Sequence, residues 1–376
     1  MKPAILTVGS ANAERLIRAA HLSVGRKQVV PPSLLTAGGS AVNHACRLLA
    51  AGYQALSLIP LGKDDIGQLV CRTIFEAAKT GNLSEPKTAF LKKWLDDVAQ
   101  PDRTTGYTTI IVEQDGRRSI FSETGSSSER FGETCARVLS SVEPETICAV
   151  IIGHVHSDAE PRADLPYGGK GAITSSIIAR FVENTPIVAN IGRSQYRLGP
   201  SRWLEELAKV DIVQFAYNEA KEFASLEDRQ SPNLAEIVEW FQSNGITAVL
   251  TFDRFGALGI CPYQDRVVLA WPYDLGAKMV DGTGAGDAMA AGLAAHMATH
   301  GPARHWTIEN LRDAMRTGRS WAGYACTELG GAANCPSKSQ LEKFVKKASA
   351  YREVEIISRS DADSFLWLLD RAFSSD

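Results

Sequence analysis

The segment Asp281-Gly282-Thr283-Gly284-Ala285-Gly286-Asp287, followed by the apolar stretch Ala288–His300, carries the residue types and spacing best suited to chemistry. Glycines at 282, 284 and 286 let the backbone turn so that successive N–H groups point at one spot. A helix starting there adds the positive end of its dipole, which makes a site for an anion. An acid at the edge of an anion site repels the ligand unless it has a task. For Asp287 that task would be to accept the proton of a hydroxyl attacking a phosphoryl group. The helix terminus favours the ionised form a base needs, and the main-chain donors would stabilise charge on the transferred group. Taken alone, the loop leaves three other readings open. A dinucleotide turn would need Gly-x-Gly-x-x-Gly, and a P-loop would need Lys-Ser/Thr, neither of which is present. Asp287 as a plain first-turn helix acid is the third.

Such a loop must be held by a sheet. Short apolar runs at Ile5–Val8, Ala55–Ile59, Ala149–Ile152, Ile187–Ala189, Ile212–Phe215 and Ala248–Thr251 read as buried strands. They alternate with helix-like stretches at Val42–Ala51, Gln68–Lys79, Ile173–Val182, Leu234–Ser243 and Ala288–His300. That alternation predicts βαβ units and a parallel sheet, with ligands collected at the carboxyl ends of the strands. Tyr107–Glu113 and Arg117–Ser122 alternate polar and apolar residues around Gln114-Asp115-Gly116, which predicts a half-exposed hairpin. With further strands expected in Leu22–Val30, these residues predict a small β-lid. An amphipathic stretch, Phe90–Leu95, bounded by Pro86 and Pro101, reads as an inserted helix packing on the lid or on a second subunit. After Pro336 the tail continues with helix-like Leu341–Tyr351, strand-like Val354–Ile357 and helical Phe365–Phe373.

With these elements in place, two separated motifs make the sequence resemble the ribokinase-like (PfkB) family of carbohydrate kinases. The family's C-terminal signature, an Asp-Thr-x-Gly-Ala-Gly-Asp-like loop, is matched by Asp281 to Asp287, with Gly282 in place of the first Thr. Its N-terminal signature, a Gly-Gly pair with an Asn, is matched by Gly38-Gly39-Ser40-Ala41-Val42-Asn43. Ala51-Gly52 and Gly62-Lys63-Asp64-Asp65-Ile66-Gly67 follow in family order. The resemblance covers residues 4–336 and implies a three-layer α/β/α core with a mainly parallel sheet and a small β-sheet lid. It implies an ATP-dependent kinase acting on a hydroxyl of a sugar-like small molecule. Asp287 is implied as general base, with Gly284, Ala285 and Gly286 as the anion hole. Gly38, Gly39 and Asn43 are implied as contacts to substrate hydroxyls, with Glu14 where the family often has Asp. Asn218, Thr251, Asp253 and Gly256 match the nucleotide-binding positions, although Asp253 stands where Gly is usual. Asp281 and Thr283, with Gly330-Gly331-Ala332, resemble a site for a monovalent cation, expected to be K+. For Mg2+ the family's Asn-x-x-Glu is altered to Asn218-Glu219-Ala220-Lys221, which leaves Glu219 or Glu222 as candidates. Two alternatives stand beside the sugar kinase: a nucleoside kinase of the same fold, and a kinase-like binding protein without turnover supported by Lys221 and Asp253.

Bulk properties agree with a globular enzyme. The chain has 376 residues, 44% hydrophobic and 22% charged, with a formal net charge of −3 and no basic block. Nothing in this balance calls for nucleic acid or a membrane surface as partner. Seven cysteines without a Cys-x-x-Cys pair argue against a disulfide framework and suit a reducing compartment, so a cytoplasmic location is expected. The domain expectation is a core over 1–336, with lid strands from about 15–36 and 104–125 and an insertion at 85–103. Residues 337–376 would form an extension packed on it, and the lid would provide a homodimer surface. His154-Val155-His156 invites a metal-pair reading but lacks a third ligand, and Gly168-Gly169-Lys170-Gly171 reads as a loop.

Overall fold

Apolar runs only a few residues long can hide both faces only if helices cover both sides of the sheet they form. The computed structural model describes residues 3–362, apart from 23–24, 115–117, 160–163, 165, 229–231, 302–306, 328–329, 333–334, 349–352 and 360–361. In chain order the strands are β1 (Ala4–Val8), β2 (Asn12–Ala19), β3 (Leu34–Gly38), β4 (Ala55–Leu58), β5 (Gly106–Glu113), β6 (Arg118–Glu123), β7 (Ile147–Ile152), β8 (Ile187–Ala189), β9 (Ile212–Ala216), β10 (Ala248–Thr251), β11 (Ala257–Ile260), β12 (Arg266–Ala270) and β13 (Val354–Ser358). Nine form one sheet in the order β13-β12-β11-β10-β9-β8-β7-β1-β4. From β4 to β10 every pairing is parallel, and the last three are antiparallel. This is the α/β architecture expected, with a second sheet, β3-β2-β5-β6, standing apart from the first.

The second sheet departs from expectation in detail. Its strands β2 and β3 flank the Leu22–Val30 segment, whose described residues lie outside any strand. The Asp115-Gly116 turn lies outside the described residues, as does the helix expected at Phe365–Phe373. The helix Glu85–Val98 packs elsewhere than on the lid or a second subunit. Leu91, Trp94, Leu95 and Val98 are buried, and Trp94 Nε1 donates to the Ser57 carbonyl on β4 at 2.8 Å. Trp94 therefore packs in the core rather than on the lid or a second subunit. The tail's Val354–Ser358 completes the main sheet as its edge strand instead of merely resting against it.

Two details fix the geometry of the ligand-bearing edge. Asp64 caps the helix Asp65–Thr80 through Gly67 N–H at 2.8 Å and also accepts from Thr105 N–H at 2.9 Å, which ties the start of β5 to the core. The helix Ala285–His300 is buried from Ala288 to Ala295, as a helix apolar on all sides must be. Its Ala/Gly content permits close approach. A Cβ on Gly292 would sit 2.7 Å from the Gly318 Cα of the helix Ile308–Ala325, so larger side chains would separate the two.

Candidate active site

The ends of β1, β3 and β7 meet where the helix Ser40–Ala50 begins. Ser40 N–H donates to Ser10 Oγ at 3.0 Å, and His154 N–H donates to Ser40 Oγ at 2.8 Å. Gly39 has φ 94°, and a Cβ there would lie 2.5 Å from the Ser10 carbonyl oxygen, so the turn into the helix admits only glycine. This anchoring aims Asn43 at the opposite loop. Asn43 Nδ2 donates to Asp287 Oδ2 at 2.7 Å, joining two residues 244 positions apart. Its Oδ1 is buried and has no hydrogen-bond partner among the described residues. The Asp287 side chain is 17% exposed, and its other oxygen lies 3.4 Å from His44 Nε2. Burial pushes the Asp287 carboxyl up. The hydrogen bond and charge of His44, the charge of His154 and the Asn43 amide outweigh that and hold it below its ordinary value. A carboxylate ionised at neutral pH and set at the first turn of a helix is the form required of a base.

Glu14 approaches from the lid. Its carboxylate lies against Gly38, where a Cβ would collide with it, and it accepts from Gly39 N–H at 3.3 Å. Burial first, then the negative charges of Asp287 and Asp281, raise its pKa to about 7 against the lowering effect of the Gly39 hydrogen bond. Glu14 therefore changes charge across the neutral range. If it accepts hydrogen bonds from a substrate diol, KM for that substrate should fall as pH rises through 7, and Glu14→Gln should flatten the profile. Stability follows the opposite sign. A carboxyl whose folded value lies above its unfolded one contributes fully below pH 4.5 and loses that contribution as pH rises through 7. Glu14→Gln should consequently gain melting temperature over the wild type at pH 8 but not at pH 5.

The glycine loop has the shape its sequence implies. Asp281 Oδ1 accepts from Thr283 N–H at 3.0 Å and Thr283 Oγ1 at 2.8 Å, and Oδ2 accepts from Gly330 N–H at 3.3 Å. Gly284 is left-handed (φ 75°) and caps the helix Ala285–His300. Ala285 N–H turns back to the Gly282 carbonyl at 3.2 Å and so is already engaged within the turn, which leaves Gly286 and Asp287 as the first-turn positions for an anion to meet. Gln214 Nε2 on β9 donates to the Gly286 carbonyl at 2.9 Å and steadies the turn.

Beyond this turn lies a cavity of about 810 Å³ that brings together Asn218, Thr251, Asp253 and Gly256 with Gly282, Ala285 and Gly286. Asp253 has φ 47°, so it keeps the left-handed backbone for which glycine is the usual residue. Gly256 packs so closely on the Ala270 carbonyl that a Cβ would collide with it. Tyr273, Met289, Arg319 and Cys326 add walls that the sequence did not announce. A second opening of about 450 Å³ lies between lid residues Leu16, Arg18, Val112 and Glu113 and the loop Met279–Gly282. Met279 and Gly282 line both spaces, so the loop separates two compartments.

The expected metal ligands fit less well. Glu222 accepts from Arg197 Nε at 2.9 Å, Arg193 at 3.3 Å and Tyr196 Oη at 2.9 Å. Glu219 Oε2 accepts from Ala216 N–H at 3.0 Å and so caps its own helix. Neither carboxylate is set to organise Mg2+. Glu222→Gln should leave kcat unchanged and cost only about 0–1 kcal/mol of stability, since exposed ion pairs are weak; equal turnover with a slightly lower melting temperature checks this. Asp281 and Thr283 do lie beside Gly330, as the monovalent-cation reading expected. However, the Asp281 oxygens receive N–H and O–H donors, and the Gly331 carbonyl accepts from the buried Arg47 at 2.8 Å. Among the described residues no cluster of three His, Cys, Asp or Glu could hold a metal. His154 and His156 do not converge on one point: the His154 ring packs near Gly192, while His156 Nδ1 meets Ser194 Oγ at 3.4 Å. Lys170 gives its carbonyl to Arg202 in a loop that leads into the helix Ala172–Phe181.

His44, Arg47 and Gln214 are the site residues that sequence reasoning missed. Each sits within an apolar run, and His44 directly follows Asn43, which was the available signal.

Comparison with solved structures supports the fold. Ribokinase from Thermotoga maritima superimposes with a TM-score of 0.64 at 17% identity, covering 92% of this chain and 100% of that one. Arabidopsis thaliana ribokinase complexed with ribose and ATP gives 0.65 at 18% identity, covering 92% and 99%. The nucleoside kinase of Methanocaldococcus jannaschii gives 0.63 at 16% identity, also covering 92% and 99%. Among curated proteins no sequence relative matches at a significant level. Among the described residues no helix is long and apolar enough to cross a membrane. A sequence profile for pfkB family carbohydrate kinase matches residues 97–338, well over half of the chain. With the glycine loop, the facing Asn43 and the parallel sheet in place, the chain belongs to the pfkB family of carbohydrate kinases, phosphotransferases that act on an alcohol.

Proposed function

We propose that this kinase moves the γ-phosphoryl group of ATP onto a hydroxyl of a sugar or sugar-like molecule, with Asp287 as general base. The observation that carries the reading is the Asn43–Asp287 hydrogen bond, which joins the start of the helix Ser40–Ala50 to the end of the glycine loop. The cavity of about 810 Å³ is the nucleotide side, and the lid-facing opening is the acceptor side. The acceptor's diol would meet Glu14 and the unpartnered Asn43 Oδ1, since a carboxamide can both give and take hydrogen bonds. As the hydroxyl oxygen attacks the γ-phosphorus, its proton passes to Asp287 and the bond to the β-phosphate oxygen breaks. Charge on the transferred group would rest against the N–H groups of Gly286 and Asp287 and the helix dipole. Magnesium, as in other ATP reactions, would neutralise phosphate charge. Neither Glu219 nor Glu222 is placed to hold it, so no role is assigned to them. Lid closure over the acceptor would exclude water as a competing acceptor.

A nucleoside is the second reading. Leu16, Ala19, Val112, Met279 and Val280 give the lid-facing opening an apolar wall able to take a flat base. Ribokinase complexed with ribose and ATP and the archaeal nucleoside kinase are equally near in fold, so fold does not separate the two. Measuring ADP release with ribose, fructose, ketodeoxy sugar acids and nucleosides tests both. One class should raise ADP release well above the acceptor-free rate. Tight ATP binding with no transfer to any acceptor would overturn the proposal. A lid-to-lid homodimer is also proposed, on the exposed Leu35, Ile120 and Phe121 of the second sheet.

A further inference from the structure

The helix Ser40–Ala50 is buried along its length, and three of its polar side chains point at the active-site loops. Asn43 bonds to Asp287, Arg47 bonds to the Gly331 carbonyl, and His44 lies against Asp287. His44 is completely buried, and neither Nδ1 nor Nε2 has a hydrogen-bond partner of good geometry among the described residues. Its polar contact is Asp287 Oδ1, 3.4 Å from Nε2. On the far side, its Cε1 packs towards Gly153 at the end of β7. Burying an imidazole without a well-formed hydrogen bond on either nitrogen is unfavourable, and Leu or Met would fill the space without that cost. A purely structural histidine would be expected to satisfy both nitrogens. This one gives its single polar contact to the acid at the head of the facing helix.

We infer that His44 is a positioning residue for Asp287: with Asn43 it holds the carboxylate from the helix side, one partner for each oxygen. The inference rests on the proposed role of Asp287 as base. Asp287 sits among groups of both signs. Glu14 from the lid, negative only above about pH 7, and Asp281 from its own loop are acidic. His44 and Arg47 from the Ser40–Ala50 helix and His154 from the end of β7 can oppose them. Without His44, burial would push the Asp287 carboxyl up against only the charge of His154 and the Asn43 amide, and towards the protonated form that cannot accept the hydroxyl proton.

The test reads the carboxylate directly and needs no acceptor. The full chain is labelled with 13C at the aspartate side-chain carboxyl and titrated by NMR, with Asp287→Asn identifying the Asp287 signal. In the wild type that signal should stay at its ionised position from pH 8 down to pH 5. In His44→Leu its midpoint should rise by about one pH unit or more, the scale of losing one close charged or hydrogen-bonding partner. His44→Gln, whose amide can still donate, should recover most of the wild-type behaviour. His44→Met repeats the measurement if the Leu variant loses its fold. An Asp287 midpoint that does not move in a folded Leu or Met variant overturns the inference. Because the titration is independent of turnover, a positive titration with a failed acceptor screen refutes only the kinase reading. With an accepted substrate, His44→Leu should lower kcat at least tenfold while leaving KM for ATP unchanged. A rise in KM for ATP together with the fall in kcat would indicate a structural role instead.

Discussion

Asp287→Asn is expected to lower kcat by about 10²–10⁴-fold, the range typical of a lost general base. The substitution is close to isosteric. The new carboxamide can turn its oxygen to Asn43 Nδ2 and keep that bond, so the geometry of the loop should survive. The main-chain N–H groups at positions 286 and 287 would keep their aim, and the cavity of about 810 Å³ would be unaltered. ATP affinity should therefore change little, while the rate with a saturating acceptor collapses. Isothermal titration with a non-hydrolysable ATP analogue and a steady-state ADP assay on the same preparation separate the two effects. A variant that retains most of its turnover would remove the base assignment. Weakened nucleotide binding in parallel with the rate would mean that Asp287 holds the loop instead.

The second large effect is expected at Gly284. This residue is left-handed (φ 75°), and a Cβ on it would lie 2.8 Å from the Gly331 Cα. Alanine in that conformation costs about 1–2 kcal/mol on backbone grounds alone. The contact is with backbone, which cannot swing aside, so the loop or the Gly330–Gly331 segment must move. Either movement misaims the Gly286 and Asp287 N–H groups. Gly284→Ala should thus lower the melting temperature by several degrees and weaken ATP-analogue binding at least tenfold. Gly286→Ala is the contrast for stability. Gly286 is not left-handed, and an added Cβ meets only Gln214 Nε2 at 3.8 Å, so its melting temperature should stay near the wild-type value. Equal melting temperatures for both variants would contradict the strain argument.

Much of the parallel core was legible because its strands are short, β-branched and bounded by helix-forming stretches, so local pattern and buried environment agree. The glycine loop was legible for a similar reason: three glycines before an apolar helix define a turn of N–H donors with little help from elsewhere. The residues that failed were those whose role is set by what faces them. Glu222 looked available to a metal until Arg193, Arg197 and Tyr196, all from an earlier segment, closed around it. Trp94 was expected to pack on the lid or a second subunit because its stretch is amphipathic, yet its indole reaches a carbonyl of β4. Leu22–Val30 has apolar residues of strand type, but its described residues pair with no sheet neighbour, and β-propensity without a partner does not make a strand.

Sequence alone determined the chemistry a single segment could support: an acid at the start of a helix, preceded by a loop able to bind an anion. Tertiary structure alone decided what that acid meets. Asn43, His44 and Glu14 lie far from Asp287 along the chain, and only the convergence of strand ends brings them to one carboxylate. The physical reason is range. Backbone turns and helix dipoles act within a few residues, whereas burial, opposing charges and shared hydrogen bonds depend on distances through space.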